Sequence, residues 1–193
     1  MAMNSTKRIY PNASDEILRA AETVAIDEGL ASLTIDRVAA VSGKSKGGVL
    51  YHFPSKEALI KGMIDRIGQA QIADIQQRYE SSAKGPGDLN RAVVNSFIHL
   101  IEAEGERFYR LAATLMAAVV YFPHLLNDMR AAYQALMHQM ANDGLMPMTE
   151  MIILATADGL CMHRMLNLYP FDPAFCEPFK NRLLNLIDQS VQS

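Results

Sequence analysis

One short stretch of the chain carries side chains that can bind a polyanion. Between residues 34 and 56 lie Arg37, Lys44, Lys46 and Lys56 against one acidic residue, Asp36, which gives a local net charge of +3. The whole chain of 193 residues has a net charge of −3. A basic edge on an acidic chain suits a protein that touches nucleic acid through one face, and it argues against coating nucleic acid without preference.

The elements that must position these side chains are two short helices joined by a tight turn, followed directly by a long third helix. Thr34 is a suitable N-cap for the first helix, and Ser45 for the second. Gly43 supplies the turn because a residue without Cβ takes a left-handed conformation cheaply. This pattern predicts a helix-turn-helix DNA-binding motif over about residues 34–53.

The first turn of the second helix has the chemistry that a DNA groove requires. Lys46 can donate to O6 or N7 of guanine or can meet a phosphate, and the sequence leaves both open. Gly47 and Gly48 would let the helix backbone lie close to DNA, and a purely structural role is the alternative. Thr34 is a candidate phosphate contact because it combines a hydroxyl with the N–H groups of a helix N-terminus.

The run from Val38 to Leu59, V-A-x-x-S-G-x-S-K-G-G-V-L-Y-H-F-P-S-K-E-A-L, resembles the DNA-binding signature of tetracycline-repressor (TetR) type regulators. The resemblance extends over about residues 12–66. It implies that the helix capped by Ser45 enters the major groove, and that Tyr51, His52 and Lys56 hold phosphates.

Lys44 departs from the family pattern. It stands where members usually place a small apolar residue, directly before the capping Ser45. Its amine can extend to a phosphate, which makes Lys44 a further candidate contact, or the residue can loosen the turn.

The rest of the sequence predicts helices and no strand-like alternation. We expect helices at about 14–28, 56–81, 88–104, 106–120, 123–142, 147–167 and 178–191. The last helix is expected to begin near Pro178, because that proline would sit too deep in a helix beginning at Pro173. The predicted fold is all-α, with a three-helix DNA-binding domain over residues 1–60 and a larger helical domain over 61–193. The resemblance implies that the larger domain binds a ligand and dimerises.

Membrane, secreted and catalytic classes find little support. The longest apolar run, Leu111–Phe122, has 12 residues where a membrane helix needs roughly 20, so it predicts a core helix. Met1–Pro11 lacks the apolar core of a secretory signal. No H-E-x-x-H, G-x-S-x-G, Walker or Rossmann pattern occurs. We therefore expect a cytoplasmic protein that is not an enzyme and has no metal, no cofactor and no membrane partner.

Methionines and aromatic residues are frequent after residue 110. Flexible thioethers and aromatic walls suit a pocket for apolar ligands, and they equally suit an ordinary core. In the TetR-like arrangement, helices four to seven surround the ligand. The resemblance thereby implies a set of pocket residues: Met63, Ile67, Phe97, Ile101, Tyr109, Met116 and His163.

Asp158 places a carboxylate within an apolar helical stretch, and such a group needs a partner. A hydrogen bond across helices or a dimer seam is one interpretation, and attraction of a cationic ligand is the other. The run A-D-G-L-x-x-H from Ala157 to His163 is similar to a subset of TetR-type regulators that respond to cationic, lipophilic drugs.

The last two long helices carry apolar residues that resemble the dimer seam of the family: Ile152, Ile153, Thr156, Gly159, Leu160, Leu183, Leu184, Leu186 and Ile187. We interpret the chain as a homodimeric repressor that binds a pseudo-palindromic operator in double-stranded DNA and is released by a small apolar effector. The alternatives are a DNA-binding regulator whose second domain only dimerises, and a helical enzyme that carries the motif incidentally.

Overall fold

The computed structural model describes residues 12–168 and 173–191, and these form helices almost throughout. Over these ranges β structure is limited to one bridge between Leu145 and Val191. The described residues form one 3₁₀ turn, at Pro123–Leu126, and nine α-helices. They are α1 (Ala13–Asp27), α2 (Ile35–Ser42), α3 (Lys46–His52), α4 (Lys56–Glu80), α5 (Asp88–Ala103), α6 (Glu106–Tyr121), α7 (Asn127–Ala141), α8 (Thr149–Met165) and α9 (Pro173–Ser190). The all-α prediction is confirmed.

The chain divides between Met63 and Ile64 into two compact units. In the first unit the predicted caps are confirmed. The Thr34 hydroxyl accepts from the Arg37 N–H at 3.1 Å, and the Ser45 hydroxyl accepts from the Gly48 N–H at 3.0 Å. Gly43 ends α2 with φ +67°, the left-handed conformation that the turn requires.

Apolar burial orients the motif in the first unit. Val38 of α2, Val49 of α3 and Leu59 of α4 are fully buried, and each contributes roughly 1.5–3 kcal/mol by leaving water. Because Val49 points inward, the opposite face of α3 must point outward. That face carries the leading residues of the predicted motif.

The core of the second unit is formed mainly by α5, α8 and α9. Val93, Met140, Ile153 and Ile187 are fully buried there. Among the described residues no helix is both long and apolar enough to cross a membrane.

Two predicted boundaries are wrong. The last helix begins at Pro173 and includes Pro178, because the stacked rings of Phe175 and Phe179, with centroids 5.3 Å apart, and the buried Cys176 hold the turns on either side of the proline. The helix expected over 123–142 is divided, since Pro123–Leu126 forms a 3₁₀ turn before α7 begins.

The helix formed by the apolar run over residues 111–122 is buried on one face only, so the prediction of a core helix is only partly right. It forms most of α6 and buries Leu111, Leu115 and Ala118, as expected for one face of a helix. Val120 and Tyr121 are almost fully exposed. Run length predicted the helix, but it could not predict that only one face of α6 is covered.

Candidate DNA-binding surface and effector cavity

The leading edge of α3 is exposed. The Lys46 side chain is 60% exposed and Tyr51 is 84% exposed. The His52 ring lies edge-on to the Tyr51 ring, with centroids 5.0 Å apart. Thr34 and Ser45 are exposed at the two helix N-termini, where each hydroxyl already accepts a backbone N–H.

The two glycines of α3 differ in their surroundings. A Cβ at Gly47 would meet nothing within 4 Å, so this part of the backbone faces open space. A Cβ at Gly48 would lie 3.2 Å from the Ser45 hydroxyl oxygen. Gly48 therefore protects the helix cap, whereas no neighbour among the described residues requires glycine at position 47.

The basic side chains of the motif have partners within the protein. Lys46 Nζ lies 3.0 Å from the Asp36 carboxylate, and the Lys44 amine pairs with Glu16. The Lys56 amine donates to the backbone carbonyl of Leu30. Gly43 and Ser45 keep their predicted geometry on either side of Lys44.

The fourth basic side chain, Arg37, makes a bidentate pair with Glu28. Its NH2 and Nε lie 2.8 and 2.9 Å from the two carboxylate oxygens. This hydrogen bonding holds the pKa of Glu28 below its ordinary value. Each of the four basic side chains of the motif thus has a carboxylate or carbonyl oxygen of the protein as its partner.

The second unit contains a cavity of about 560 Å³, within the usual range for drug-sized ligands. Its walls come from α4, α5, α7 and α8. Apolar lining dominates and includes Ile67, Ile72, Phe97, Leu100, Met129 and Leu136. The charged lining residues are three carboxylates, Asp65, Asp128 and Asp158. In the part of the chain that the structure describes, no basic residue lines the cavity.

Asp158 accepts a hydrogen bond from the Tyr133 hydroxyl across α7 and α8. The Asp158 side chain remains open to solvent, but the apolar walls desolvate its carboxylate and raise its pKa, against the opposing effect of the Tyr133 hydrogen bond. The hydrogen-bond interpretation of Asp158 therefore holds, and the same carboxylate lines the cavity.

The structure brings three of the eight predicted ligand residues together at the cavity: Ile67, Phe97 and Asp158. The other five lie outside the lining. Met63 and Ile101 are buried, Tyr109 packs under the Arg164 guanidinium at 5.3 Å, and Met116 and His163 are exposed.

Sequence reasoning missed Met129, Tyr133 and Asp128 on α7. Tyr133 and Asp158 are 25 residues apart on different helices, and no local spacing indicates such a pair. Ile72 and Ile75 of α4 also line the cavity, and neither was among the predicted ligand residues.

A chain of hydrogen bonds joins α4 to α5 beside the cavity. Gln71 donates to Ser96 at 3.0 Å, and Ser96 donates to Asp74. Asp74 also accepts from Arg78 at 2.7 Å. Burial opposes ionisation of Asp74, but the hydrogen bonds from Arg78 and Ser96 outweigh it, so the pKa of Asp74 is lowered. These bonds fix the face of α4 that carries the cavity lining.

An apolar face of α8 lies open on the second unit. It consists of residues that are each about half exposed: Met148, Met151, Ile152, Met162 and Leu166. Three residues expected in a dimer seam, Ile153, Leu183 and Ile187, are instead buried in the core of the unit, because α8 and α9 pack against α5. Most methionines of this region are neither core nor cavity residues; they lie on the surface.

Two family models match the sequence. Residues 17–63 match the model described as "Bacterial regulatory proteins, tetR family". Residues 87–188, more than half of the chain, match "Tetracyclin repressor-like, C-terminal domain".

Relatives match over the N-terminal part. The nucleoid occlusion factor SlmA of Aliivibrio fischeri is 35% identical over 71 residues, which cover 36% of each chain. The transcriptional regulator EthR of Mycobacterium tuberculosis is 34% identical over 76 residues, which cover 39% of this chain and 33% of EthR. The chain thus spans about a third of the length of the curated relatives it matches.

Solved structures match over nearly the whole chain. The multidrug binding protein EbrR complexed with malachite green has a TM-score of 0.67 at 19% identity, over 90% of this chain and 98% of EbrR. Salmonella enterica GusR has a TM-score of 0.67 at 22% identity, over 96% of this chain and all of GusR. These likenesses establish the fold. With both family models matched, the chain belongs to the TetR family of bacterial regulatory proteins.

Proposed function

We propose that this protein is a homodimeric repressor that binds a pseudo-palindromic operator and is released by an apolar, cationic effector. The DNA-binding domain would span about residues 1–60, and the effector and dimerisation domain residues 61–193. The observation that carries the proposal is the cavity of about 560 Å³, whose walls are apolar and whose charged lining consists of carboxylates.

DNA binding would use the exposed edge of α3. Lys46 and the open backbone at Gly47 would face a groove, and Tyr51, His52 and Thr34 would contact phosphates; the exposure of Lys46 and Tyr51 and the open space at Gly47 support this arrangement. To reach a phosphate, Lys44 would have to break its ion pair with Glu16, and Lys56 would have to break its hydrogen bond to the Leu30 carbonyl. One short motif buries too little surface to bind specifically, so a two-fold dimer is required.

The open apolar face of α8 supports the dimer. Isolated apolar side chains are common on surfaces, but a stripe from Met148 to Leu166 along one helix is typical of a protein interface. Two copies of this face would bring their α8 helices together.

The carboxylates favour a cation. Ion pairing with Asp158 would offset the cost of desolvating a charged ligand, which neutral walls alone would not. EbrR, whose structure contains malachite green, a cationic dye, has a similar fold. Helix α4 begins directly after the DNA-binding motif and contributes ten of the residues between 64 and 76 to the cavity lining. An effector with different affinity for two positions of α4 would therefore change DNA affinity, and operator and effector would antagonise each other reciprocally.

The alternative is a regulator without an effector, whose second domain only dimerises. A sealed methionine-rich core would favour it. The cavity and the surface position of most methionines argue against it.

The test is binding of fluorescein-labelled DNA from upstream of the protein's own gene, measured by polarisation over a salt series. Wild type should bind saturably in the presence of competitor DNA, and Lys46→Ala/Tyr51→Ala should not. Both side chains are exposed, so the variant should stay folded. Arg107→Ala removes a charge from an exposed residue of α6 and serves as the control. If wild type binds the upstream DNA no more tightly than random DNA, that result would contradict the proposal that the upstream DNA contains an operator for this protein.

A further inference from the structure

Leu50 places an apolar side chain on the edge of α3 that carries the DNA-binding candidates. Val49 is fully buried, so Gly47 and Tyr51, two residues before and after it, lie on the opposite side of the helix. Leu50 lies between the buried side and the outward side and is 38% exposed. A single exposed leucine is common on protein surfaces, so the surroundings of this leucine decide what it can do.

The residues before Leu50 leave its side chain accessible. A side chain in a helix leans toward the N-terminus, so that of Leu50 extends over the turn that contains Lys46 and Gly47. Gly47 has no side chain, and even a Cβ there would meet no described atom within 4 Å. The Lys46 ammonium lies 3.0 Å from the Asp36 carboxylate on α2. An apolar side chain beside an open stretch of backbone can therefore come close to base edges in a groove.

Leucine has no group that can bind a phosphate or a polar base edge. The base edges in the major groove present hydrogen-bond donors and acceptors, and the C5-methyl group of thymine is the apolar exception. Against any other base edge, Leu50 would remove polar groups from water without giving them a partner, which is unfavourable. Against the methyl group, apolar surface is buried on both sides of the contact.

We propose that Leu50 is a specificity-determining residue that contacts the C5-methyl group of a thymine in each half-site of the operator. This inference rests on the proposed function. Because Leu50 carries no charge, it adds nothing to the attraction for phosphates, which are the same in every sequence. Its contact strengthens binding only where a thymine lies beneath it.

The test replaces thymine by uracil, which lacks only the methyl group and keeps the same hydrogen-bonding edge. The tightest site is selected from a random library, and each thymine of one half-site is replaced in turn by deoxyuridine. One of these replacements should weaken wild-type binding about four-fold, as expected when one apolar carbon loses its contact. In Leu50→Ala the same replacement should weaken binding by less than about 1.5-fold, because the partner of the methyl group is gone.

Two comparisons separate base contact from general effects. Leu50→Ala should bind a scrambled duplex of equal length within about two-fold of wild type, and with unchanged salt dependence, because no charge is altered. Val41→Ala is the matched control, since Val41 is an aliphatic residue of α2 that is 37% exposed. It should keep the full effect of uracil. Thermal melting checks that each variant is folded.

A uracil effect of equal size in wild type and Leu50→Ala, or none at any thymine, would overturn the inference while the proposed function stands. Equal weakening of Leu50→Ala on the selected and scrambled duplexes would also overturn it, because Leu50 would then act through the structure of α3. If wild type prefers no selected site, the proposed function fails together with this inference.

Discussion

Replacing Asp158 by asparagine should weaken binding of a cationic effector while leaving the fold intact. A unit-charge pair at about 4 Å is worth about 4 kcal/mol at an effective dielectric constant of 20 and about 1 kcal/mol in water. Asp158 lines an apolar cavity yet remains open to solvent, so an intermediate loss of about 2 kcal/mol is expected. That loss corresponds to a roughly 30-fold larger dissociation constant.

The pKa of Asp158 fixes the sign of two accompanying effects. Desolvation raises this pKa, so the folded protein prefers the neutral carboxyl, and stability is lost as the pH rises through the raised value. An asparagine, which still accepts the Tyr133 hydroxyl, should therefore melt at the same or a higher temperature at neutral pH. Cation affinity of wild type should fall as the pH drops through the raised pKa, and that dependence should disappear in Asp158→Asn.

Malachite green titrations at fixed ionic strength provide the assay. Wild type should bind with a dissociation constant below about 0.1 mM, in the range of weak specific ligands. Glu102→Gln removes an exposed carboxylate on α5 outside the cavity lining and serves as the control. If Asp158→Asn melts normally and binds the dye within two-fold of wild type, the electrostatic reasoning is refuted.

Three further changes test the packing, the cavity and the dimer. Gly62→Ala places a Cβ 2.8 Å from the Phe53 ring. In urea denaturation, this crowding should lower the free energy of unfolding of the DNA-binding unit by about 1–3 kcal/mol. Gly47→Ala is the control and should not destabilise the unit, because its Cβ meets no described atom within 4 Å. Tyr133→Phe removes the hydrogen bond that opposes the raised pKa of Asp158, so the acid loss of dye binding should move to higher pH; an unchanged profile would contradict this. Ile152→Glu, on the open face of α8, should yield monomers by light scattering with little loss of protomer stability, and a persistent dimer would place the interface elsewhere.

The helix-turn-helix motif was predictable because its determinants are local. Thr34 and Ser45 each cap an N–H three residues ahead, and Gly43 takes a conformation set by its own backbone. Such interactions depend on side-chain type and spacing, both of which the sequence displays.

The cavity was much less predictable because its walls come from four helices. Tyr133 meets Asp158 only through the packing of α7 on α8, and Met116 and His163 fall on outer faces that hydropathy does not distinguish from inner ones. Ile153 and Ile187 were predicted in a dimer seam because their apolar character does not say what covers them, and the packing of α8 and α9 on α5 buries them in the core instead.

The decisive measurement is operator affinity with and without saturating malachite green, in wild type and in Asp158→Asn. If occupation of the cavity releases DNA, the dye should weaken wild-type operator binding about 5- to 150-fold, and operator should weaken dye binding by the same factor. Asp158→Asn should need correspondingly more dye for the same release. Saturating dye that leaves the operator dissociation constant unchanged would contradict an effector-released repressor.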